Sequence, residues 1–339
     1  MPAQHAPNWP PEQGRDIDGS EWWLLPALYD ADAHAPHVQF GVRRSDALRA
    51  LAGGVSQTNI AVAWQLVAKS DLGALAEDMG SEALVRIVPL LSVWPHEDSA
   101  GFGSWLARQI RTWPQSMPRV CKFYSADPHL ERNLDAAWEH GIKPMVWCVN
   151  DADLERVVAH AGERPLHLRH ATSAPVVDIM RRAPEATIQS SPHFMLELAK
   201  GKHENLTVLP SPPSEQARLS LVSAFPDRVD VIASDHVSPH YAGPPISPGL
   251  QTQQHFLPAL LTLCEQHGWD LESIWQKATT APAHIFGMPA PQDLLLVDPT
   301  HEEQVRAWPW QTPDRAPFEG LTLKGHVLAV LRADQVTLI

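Results

Sequence analysis

Six polar residues with metal-binding or acid–base chemistry stand at or near the ends of short apolar runs. They are Asp32, His34, Lys122, Cys148, His170 and Asp235. Carboxylate, imidazole and thiolate groups are the ligands that zinc takes from proteins. Side chains two positions apart on a strand share a face, so Asp32 and His34 can bind one ion together. These residue types predict a metal centre, provided that the fold brings the ends of the runs together.

Taken singly, each of these residues also has a purely structural interpretation. A lone histidine such as His170 is more often a hydrogen-bonded core or surface residue than a ligand. Cys148, at the end of an apolar run, has the properties of a small buried hydrophobe. Lys122 is harder to explain, because it lies between Cys121 and Phe123, and a buried ammonium needs an ionic partner or a chemical modification. The grouping of these residues, rather than any one of them, favours a metal site.

The apolar runs alternate with helical stretches along the middle of the chain. This order is typical of a parallel sheet that is buried on both faces. The predicted strands are Leu24–Asp30, Thr58–Trp64, Arg86–Val93, Arg119–Tyr124, Pro144–Cys148, Leu166–His170, Ala186–Ser190 and Val229–Asp235. Helices are predicted between them, for example at Pro128–His140, Asp151–Ala161 and Ser173–Arg182. Eight such strands suit an α/β fold of the closed (β/α)₈ TIM-barrel type, in which the chemistry lies at the carboxyl ends of the strands.

The length and the patterning of the chain divide it into three parts. Of the 339 residues, a barrel of about 250 is predicted over residues 21–288. The proline-containing residues 1–20 are predicted to form a flexible tail. Residues 289–339 alternate in hydrophobicity with a period of two, which predicts a small, reduced β-subdomain built from the ends of the chain.

The composition of the chain argues against several classes of partner. The formal net charge of -13, with no basic run, argues against a nucleic-acid partner bound through phosphates. No run of about 18 apolar residues and no signal peptide is visible, so no membrane association is expected and a cytoplasmic location is predicted. Three scattered cysteines are too few for a disulfide framework, and reduced thiols are expected. The sequence leaves open whether the chain forms a homo-oligomer.

The sequence resembles the dihydroorotases of the amidohydrolase superfamily. The resemblance runs from about residue 20 to the C-terminus and is carried by short motifs in the same order as in that family. These motifs are Leu25–His34, Lys122–Tyr124, His170–Ser173, Ser191–Phe194, Val231–His236, Thr280–Gly287 and Phe318–Gly325. Collinearity of so many short motifs supports the amidohydrolase type of barrel, although no single motif would.

The resemblance implies a role for each candidate residue. All six residues named first match positions of the family's metal ligands, and Lys122 matches a lysine that reacts with carbon dioxide to bridge two zinc ions. One or two zinc ions and a carboxylated Lys122 are therefore expected. Asp235 matches the aspartate that moves the catalytic proton, and His240 matches a contact to the substrate carboxylate.

The sequence departs from the family pattern at the metal site and at the substrate site. The family has histidine where Asp32 and Cys148 stand, and both replacements are still zinc ligands that add negative charge. The arginine that usually follows the first two ligands is absent, because Ala35-Pro36-His37 follows His34. Loss of a bidentate arginine weakens recognition of an anionic substrate.

Two functions follow from these observations, and the sequence leaves both open. The first is an enzyme of pyrimidine biosynthesis that hydrolyses a small cyclic amide, with Asp235 as proton acceptor. The second is a non-catalytic homologue, a pseudoenzyme of the class that acts as a structural partner of aspartate carbamoyltransferase. Within the enzyme class, hydrolysis of another cyclic amide or an imide is a third alternative.

Overall fold

The computed structural model describes residues 19–34, 44–68, 72–74, 84–199, 201, 205–238, 249–306, 313–333 and 335–339. The predicted N-terminal tail lies almost entirely outside these residues. Among the described residues, no helix has the length and hydropathy that a membrane span needs.

Nine short parallel strands form one curled sheet. They are β2 (Leu28–His34), β3 (Val55–Ala63), β4 (Arg86–Ser92), β5 (Val120–Tyr124), β6 (Lys143–Trp147), β7 (Leu166–Leu168), β8 (Ala186–Ser190), β9 (Val231–Ile232) and β10 (His236–Val237). Strand β9 pairs with β8, and β10 pairs with β2. Only three residues separate β9 from β10, so these two segments are the halves of one eighth strand that closes the sheet into a barrel.

Helices surround this sheet. They are α1 (Arg44–Ala52), α2 (Trp64–Val67), α3 (Phe102–Gln109), α4 (Leu130–Glu139), α5 (Asp151–Ala161), α6 (Ala174–Met180), α7 (Glu215–Arg228), α8 (Phe256–His267), α9 (Leu271–Gln276) and α10 (Thr280–Phe286). Ser173 caps the start of α6, because its hydroxyl accepts a hydrogen bond from the Val176 amide at 3.3 Å. This side-chain oxygen satisfies one of the amides that a helix leaves unpaired at its start.

Alternation of side chains along the strands divides the core into two layers. Outward residues such as Cys121, Val146 and Ile188 pack against the helices in one large cluster. Inward residues such as Val120, Met145 and Val231 form a second cluster inside the barrel, together with Phe286 of α10. Because strands covered on both faces are apolar on both faces, the barrel strands read as continuous apolar runs. The predicted barrel is confirmed.

A small antiparallel sheet stands beside the barrel. It contains β1 (Trp23–Pro26), β11 (Leu294–Gln304), β12 (Thr322–Arg332) and β13 (Gln335–Leu338), in that order. The β-subdomain predicted from the chain ends is therefore confirmed. The first predicted strand, Leu24–Asp30, is wrong as a single element. Its first residues pair with β11, and the chain then enters the barrel at Leu28 after the Ala27 amide donates to the Asp293 carbonyl.

Candidate active site at the barrel mouth

An irregularity in β2 directs Asp32 and His34 into the barrel. Upstream, Tyr29 and Ala31 belong to the inner cluster. The pairing of β2 with β3 then shifts between Asp30 and Ala33, where β2 contains one more residue than its partner. An extra residue of this kind reverses which side chains face inward. Beyond it Ala33 packs outward, and the side chains of Asp32 and His34 reach the Lys122 side chain inside the barrel.

Lys122 is fully buried and is bound to both of these residues. Its ammonium lies 2.7 Å from Asp32 Oδ1 and 2.9 Å from His34 Nε2. Burial, followed by the nearby charge of Arg169, lowers the pKa of Lys122 to about 8. A buried ammonium needs an ionic partner, and for Lys122 that partner is Asp32.

Arg169 is the residue of this site that the sequence reasoning missed. It comes directly after β7, is 4% exposed, and its guanidinium binds Asp32 Oδ2 through both Nε and Nη2. The same Nη2 atom lies 3.5 Å from Asp235 Oδ1. A signal for it was available, because Arg169 follows the buried run Leu166–Leu168 and precedes His170, a position as unfavourable for a cation as that of Lys122.

Asp32 has no free carboxylate oxygen. Lys122 occupies Oδ1, while Arg169 and the Gln189 side-chain amide, at 3.1 Å, occupy Oδ2. Burial alone would raise the pKa of Asp32, but the charges of Arg169 and Lys122 outweigh it and hold that pKa well below its ordinary value. Asp32 is therefore an ionised group enclosed by two protein cations.

His170 and Asp235 both adopt positive φ angles, of 61° and 52°. Residues other than glycine rarely take this conformation, and it is concentrated at functional sites. It places His170 Nδ1 at 3.8 Å from Asp235 Oδ2, and His193 Nε2 at 4.0 Å from the same oxygen. Both distances exceed a hydrogen bond, and these two ring nitrogens have no hydrogen-bond partner among the described residues.

Burial determines the charge states around Asp235. It raises the pKa of Asp235 to about 7, with a further contribution from the charge of Asp32. Burial also lowers the pKa of His193 to about 3 and that of His170 well below its ordinary value, so both imidazoles are neutral near pH 7. The charges of the cluster are thus two cations, one ionised carboxylate and a second carboxyl group that titrates near neutrality.

Cys148 lies apart from these groups. In β6 the inward residues are Met145 and Trp147, whereas Cys148 packs against the outer core. Burial raises the pKa of its thiol to about 12, and the charged groups acting on it are Asp153 and Arg156 of α5. The ring of Trp147 instead contacts His170 edge-on, with ring centroids 6.2 Å apart. The ligand role predicted for Cys148 stays a prediction, without a contact that supports it.

Three aromatic rings lie at the mouth around these polar groups. Trp94 stacks on Tyr124 with centroids 5.0 Å apart, and Trp147 meets Tyr124 edge-on at 5.9 Å. Trp94 also lies 6.3 Å from the His34 ring. They pack together as a small cluster of their own, separate from the rest of the core. His240, the predicted substrate contact, lies outside the described residues.

The donor set fits a metal centre only in part. Ligand atoms of Asp32, His170 and Asp235 all lie within 4.8 Å of one another, a spacing that suits a single ion. However, the Arg169 guanidinium contacts two of these three residues, and both Asp32 oxygens already accept hydrogen bonds from cations. As arranged, these residues fit an ion only if Arg169 withdraws, and the two-zinc site implied by the resemblance does not fit them.

Comparison with known proteins relates the chain to dihydroorotases. No family model matches it. It is 26% identical over 217 residues to a dihydroorotase of Geotalea daltonii, covering 56% of this chain and 50% of that protein. It is 27% identical over 200 residues to the multifunctional protein CAD of Squalus acanthias, covering 54% of this chain and 9% of that protein. The chain spans about half the length of the dihydroorotase that it matches and a small part of the multifunctional protein.

Two solved structures share the fold over most of the chain. The inactive dihydroorotase-like domain of a Chaetomium thermophilum CAD-like multifunctional protein has a TM-score of 0.65 at 16% identity, covering 93% of this chain and 94% of that one. A dihydroorotase of Campylobacter jejuni has a TM-score of 0.63 at 12% identity, covering 90% and 97%. These two likenesses show that the chain shares the barrel fold of dihydroorotases, and the sequence matches make it similar to them over about half of its length.

Proposed function

We propose that this chain is a non-catalytic dihydroorotase-like domain that serves as a structural partner of an aspartate carbamoyltransferase chain. One observation carries the proposal: the Arg169 guanidinium lies between Asp32 and Asp235, where a metal-dependent member would need a metal ion. The proposal is also in line with the likeness to a domain whose own description calls it inactive.

The charges of the cluster support this proposal. A two-metal site gathers carboxylates and neutral imidazoles because the ions supply the positive charge. Here Lys122 and Arg169 supply that charge near pH 7, through contacts to Asp32 at hydrogen-bond distance. Two added divalent ions would then face two resident cations, at a large electrostatic cost in a buried site.

The substrate side supports it as well. Ala35-Pro36-His37 stands where dihydroorotases have a carboxylate-binding arginine. On β6, Trp147 occupies the inward position next to the expected ligand Cys148. The chain therefore lacks the arginine at that sequence position, and Cys148 makes no contact with the other predicted ligands among the described residues.

Metal analysis together with a hydrolysis assay tests the proposal. We expect the purified chain to contain well below one zinc per chain and to show no dihydroorotate hydrolysis above the uncatalysed rate. Arg169→Ala should increase zinc affinity, because it frees Asp32 Oδ2 and removes a competing charge, whereas the matched change at an exposed arginine, Arg182→Ala, should not. About two zinc ions per parent chain with turnover on the order of 1 per second or faster would overturn the proposal.

Assembly tests the second half of the proposal. Co-expression with the aspartate carbamoyltransferase of the same organism should yield a complex, and that enzyme should lose stability without this chain, because binding to a folded state stabilises it. Independent migration of the two chains, with an unchanged melting temperature, would exclude the structural role. The combined variant Asp32→His, Cys148→His and Pro36→Arg restores the family pattern, and zinc binding together with dihydroorotate turnover gained by it would show that the parent lost its chemistry at these residues.

A second candidate is a hydrolase for a cyclic amide or imide. The observation that favours it is the group of unpartnered nitrogens, His170 Nδ1 and His193 Nε2, at 3.8 and 4.0 Å from Asp235 Oδ2. Such a gap can admit an ion or a water molecule beside a proton acceptor. If turnover of any cyclic amide is detected, Asp235→Asn should abolish it while the fold remains, because the substitution removes the proton acceptor and keeps the shape.

A further inference from the structure

A cavity in the described part of the chain lies at the opposite end of the barrel from the mouth. Its volume is about 720 Å³. It opens beside the first residues of β5 and β6, the segment that leads into β7, and the end of α10. Val120 and Phe286, which belong to the inner barrel cluster, form part of its wall. This size is typical of a small-molecule site.

Three basic side chains line the cavity, although the chain as a whole carries a net charge of -13. They are Arg119, Lys143 and Arg164, located at or just before the beginnings of three neighbouring strands. Neighbouring strands lie about 5 Å apart, so these cations act on the same small volume. The Lys143 amide donates to the Arg119 carbonyl at 2.9 Å, which holds the first two in register.

Among the residues that the structure describes, only Arg164 of these three cations forms an ion pair. Arg164 lies 2.7 Å from Asp135 and stacks on the Trp138 ring at 3.8 Å from its centroid. The Lys143 ammonium reaches only the Ile285 carbonyl, at 3.5 Å, and Glu185 acts on it electrostatically without an ion pair. Arg119 is exposed and has no ion pair or side-chain hydrogen bond among the described residues. Arg119 and Lys143 therefore form no ion pair among the described residues.

Most of the rest of the wall is apolar or aromatic. Trp113, Trp138, Ile142 and Phe286 line it and form an apolar surface. An inorganic ion alone would leave this surface in contact with water. A ligand that covers the apolar wall gains binding free energy, because the hydrophobic contribution scales with the area removed from water. An anionic group on the same ligand would add electrostatic attraction to Arg119 and Lys143.

We propose that this cavity binds a phosphate monoester whose organic part is apolar or aromatic and no larger than a mononucleotide. A phosphate monoester carries a charge of about -1.5 to -2 at pH 7, which matches the two cations without an ion pair, Arg119 and Lys143. Arginine binds phosphate oxygens through two parallel hydrogen bonds, and lysine adds a point charge. The apolar part then packs against the tryptophan and isoleucine side chains. This inference does not depend on the proposed function, since no mouth residue takes part.

Calorimetry and tryptophan fluorescence on the full chain test the proposal, because Trp113 and Trp138 line the cavity. The probes are phenyl phosphate and adenosine 5′-monophosphate, compared with inorganic phosphate, adenosine and benzoate. We expect at least one ester to bind about tenfold or more tightly than all three comparison compounds. Arg119→Gln and Lys143→Gln should each weaken that binding about tenfold, whereas Arg108→Gln, at an exposed arginine on α3, should not.

Several results would overturn this assignment. One is no binding of either ester at concentrations on the order of 10 mM, which corresponds to a negligible affinity. Another is ester binding that both cavity variants leave unchanged. Equal binding of benzoate and phenyl phosphate would contradict the match to a dianion, and tighter binding of a glutamate-rich peptide would indicate a protein partner instead. If Lys143→Gln does not fold, Arg119→Gln, at an exposed position, still decides the result.

Discussion

At the mouth of the barrel, Lys122 and Arg169 are buried and both contact Asp32 at hydrogen-bond distance. At the other end, Arg119 and Lys143 line an open cavity and neither forms an ion pair among the described residues. The same residue types thus have opposite environments within one barrel. A buried cation must be paired to be tolerated, whereas a cation at a water-filled cavity can remain unpaired until an anion arrives. Positive charge at the mouth is structural, and positive charge at the bottom is available to a ligand.

The largest effect is expected when the mouth cluster loses its arginine. Arg169→Met leaves Asp32 and Asp235 buried with one cation fewer, and breaking a buried ion pair from one side costs about 3–5 kcal/mol. Urea unfolding followed by circular dichroism measures this loss. The double variant with Asp32→Asn should recover much of it, because it also removes the stranded charge. A loss below about 1 kcal/mol would mean that Arg169 is not a structural ion partner.

The arginine shows where sequence reasoning reached its limit. The barrel strands were predictable, because each is a short apolar run between helical patterns. Arg169 was not recognised because an arginine at a strand end is usually exposed, and its partner Asp32 stands 137 positions away in the sequence. The signal that was used for Lys122, a cation adjoining a buried run, applied equally to Arg169.

The orientation of side chains was harder to predict than the location of strands. In a strand buried on both faces, no polar alternation marks which residues face inward, so the orientation of Cys148 could not be derived. The extra residue in β2 that directs Asp32 inward has no signature in the sequence either, although the resemblance to dihydroorotases predicted a role for Asp32. Family likeness therefore located strand-end positions, while side-chain direction required the structure.

The next largest effect concerns a histidine in the barrel interior between the two ends. His167 is fully buried between Thr187 and Gln189, at 2.8 and 3.1 Å, and burial lowers its pKa from 6.5 to about 4. Below pH 6.5 the unfolded chain binds a proton that the folded chain does not, so stability falls as pH decreases from 6.5 towards 4. The contribution of His167 should be about 2 kcal/mol between pH 7 and pH 5.

His167→Gln isolates this contribution, since it removes the titrating ring and keeps a hydrogen-bonding group. Unfolding free energies at pH 7, 6 and 5 should decline less steeply in the variant than in the parent. Parallel curves would show that His167 does not titrate as its burial requires. Arginine substitutions at the bottom cavity should not change the slope in this range, because guanidinium groups stay protonated.

A smaller effect is expected at Cys148. Its substitution distinguishes a role as a metal ligand from a role in the outer core. Cys148→Ala removes one partly buried sulfur atom and should cost about 1 kcal/mol or less. If Cys148 is not a ligand, cobalt added to the parent should give no thiolate-to-cobalt charge-transfer absorption, and the variant should have the same spectrum. A band that is present in the parent and lost in Cys148→Ala would establish ligation and require β6 to turn at its end.

The smallest effect is expected at Arg119, when the same substitution of arginine by glutamine is made at both ends of the barrel. Arg169→Gln removes a paired, buried charge and should cost several kcal/mol. Arg119→Gln removes an exposed charge without a partner and should change the free energy of unfolding by no more than about 0.5 kcal/mol. It could even raise stability slightly, since it relieves repulsion from Lys143 across neighbouring strands. Thermal unfolding at low and moderate salt measures both variants, and salt should reduce any gain from Arg119→Gln. A cost above about 1 kcal/mol for Arg119→Gln would show that this arginine is already paired in solution, and the cavity would then lack the free charge that a phosphate ester requires.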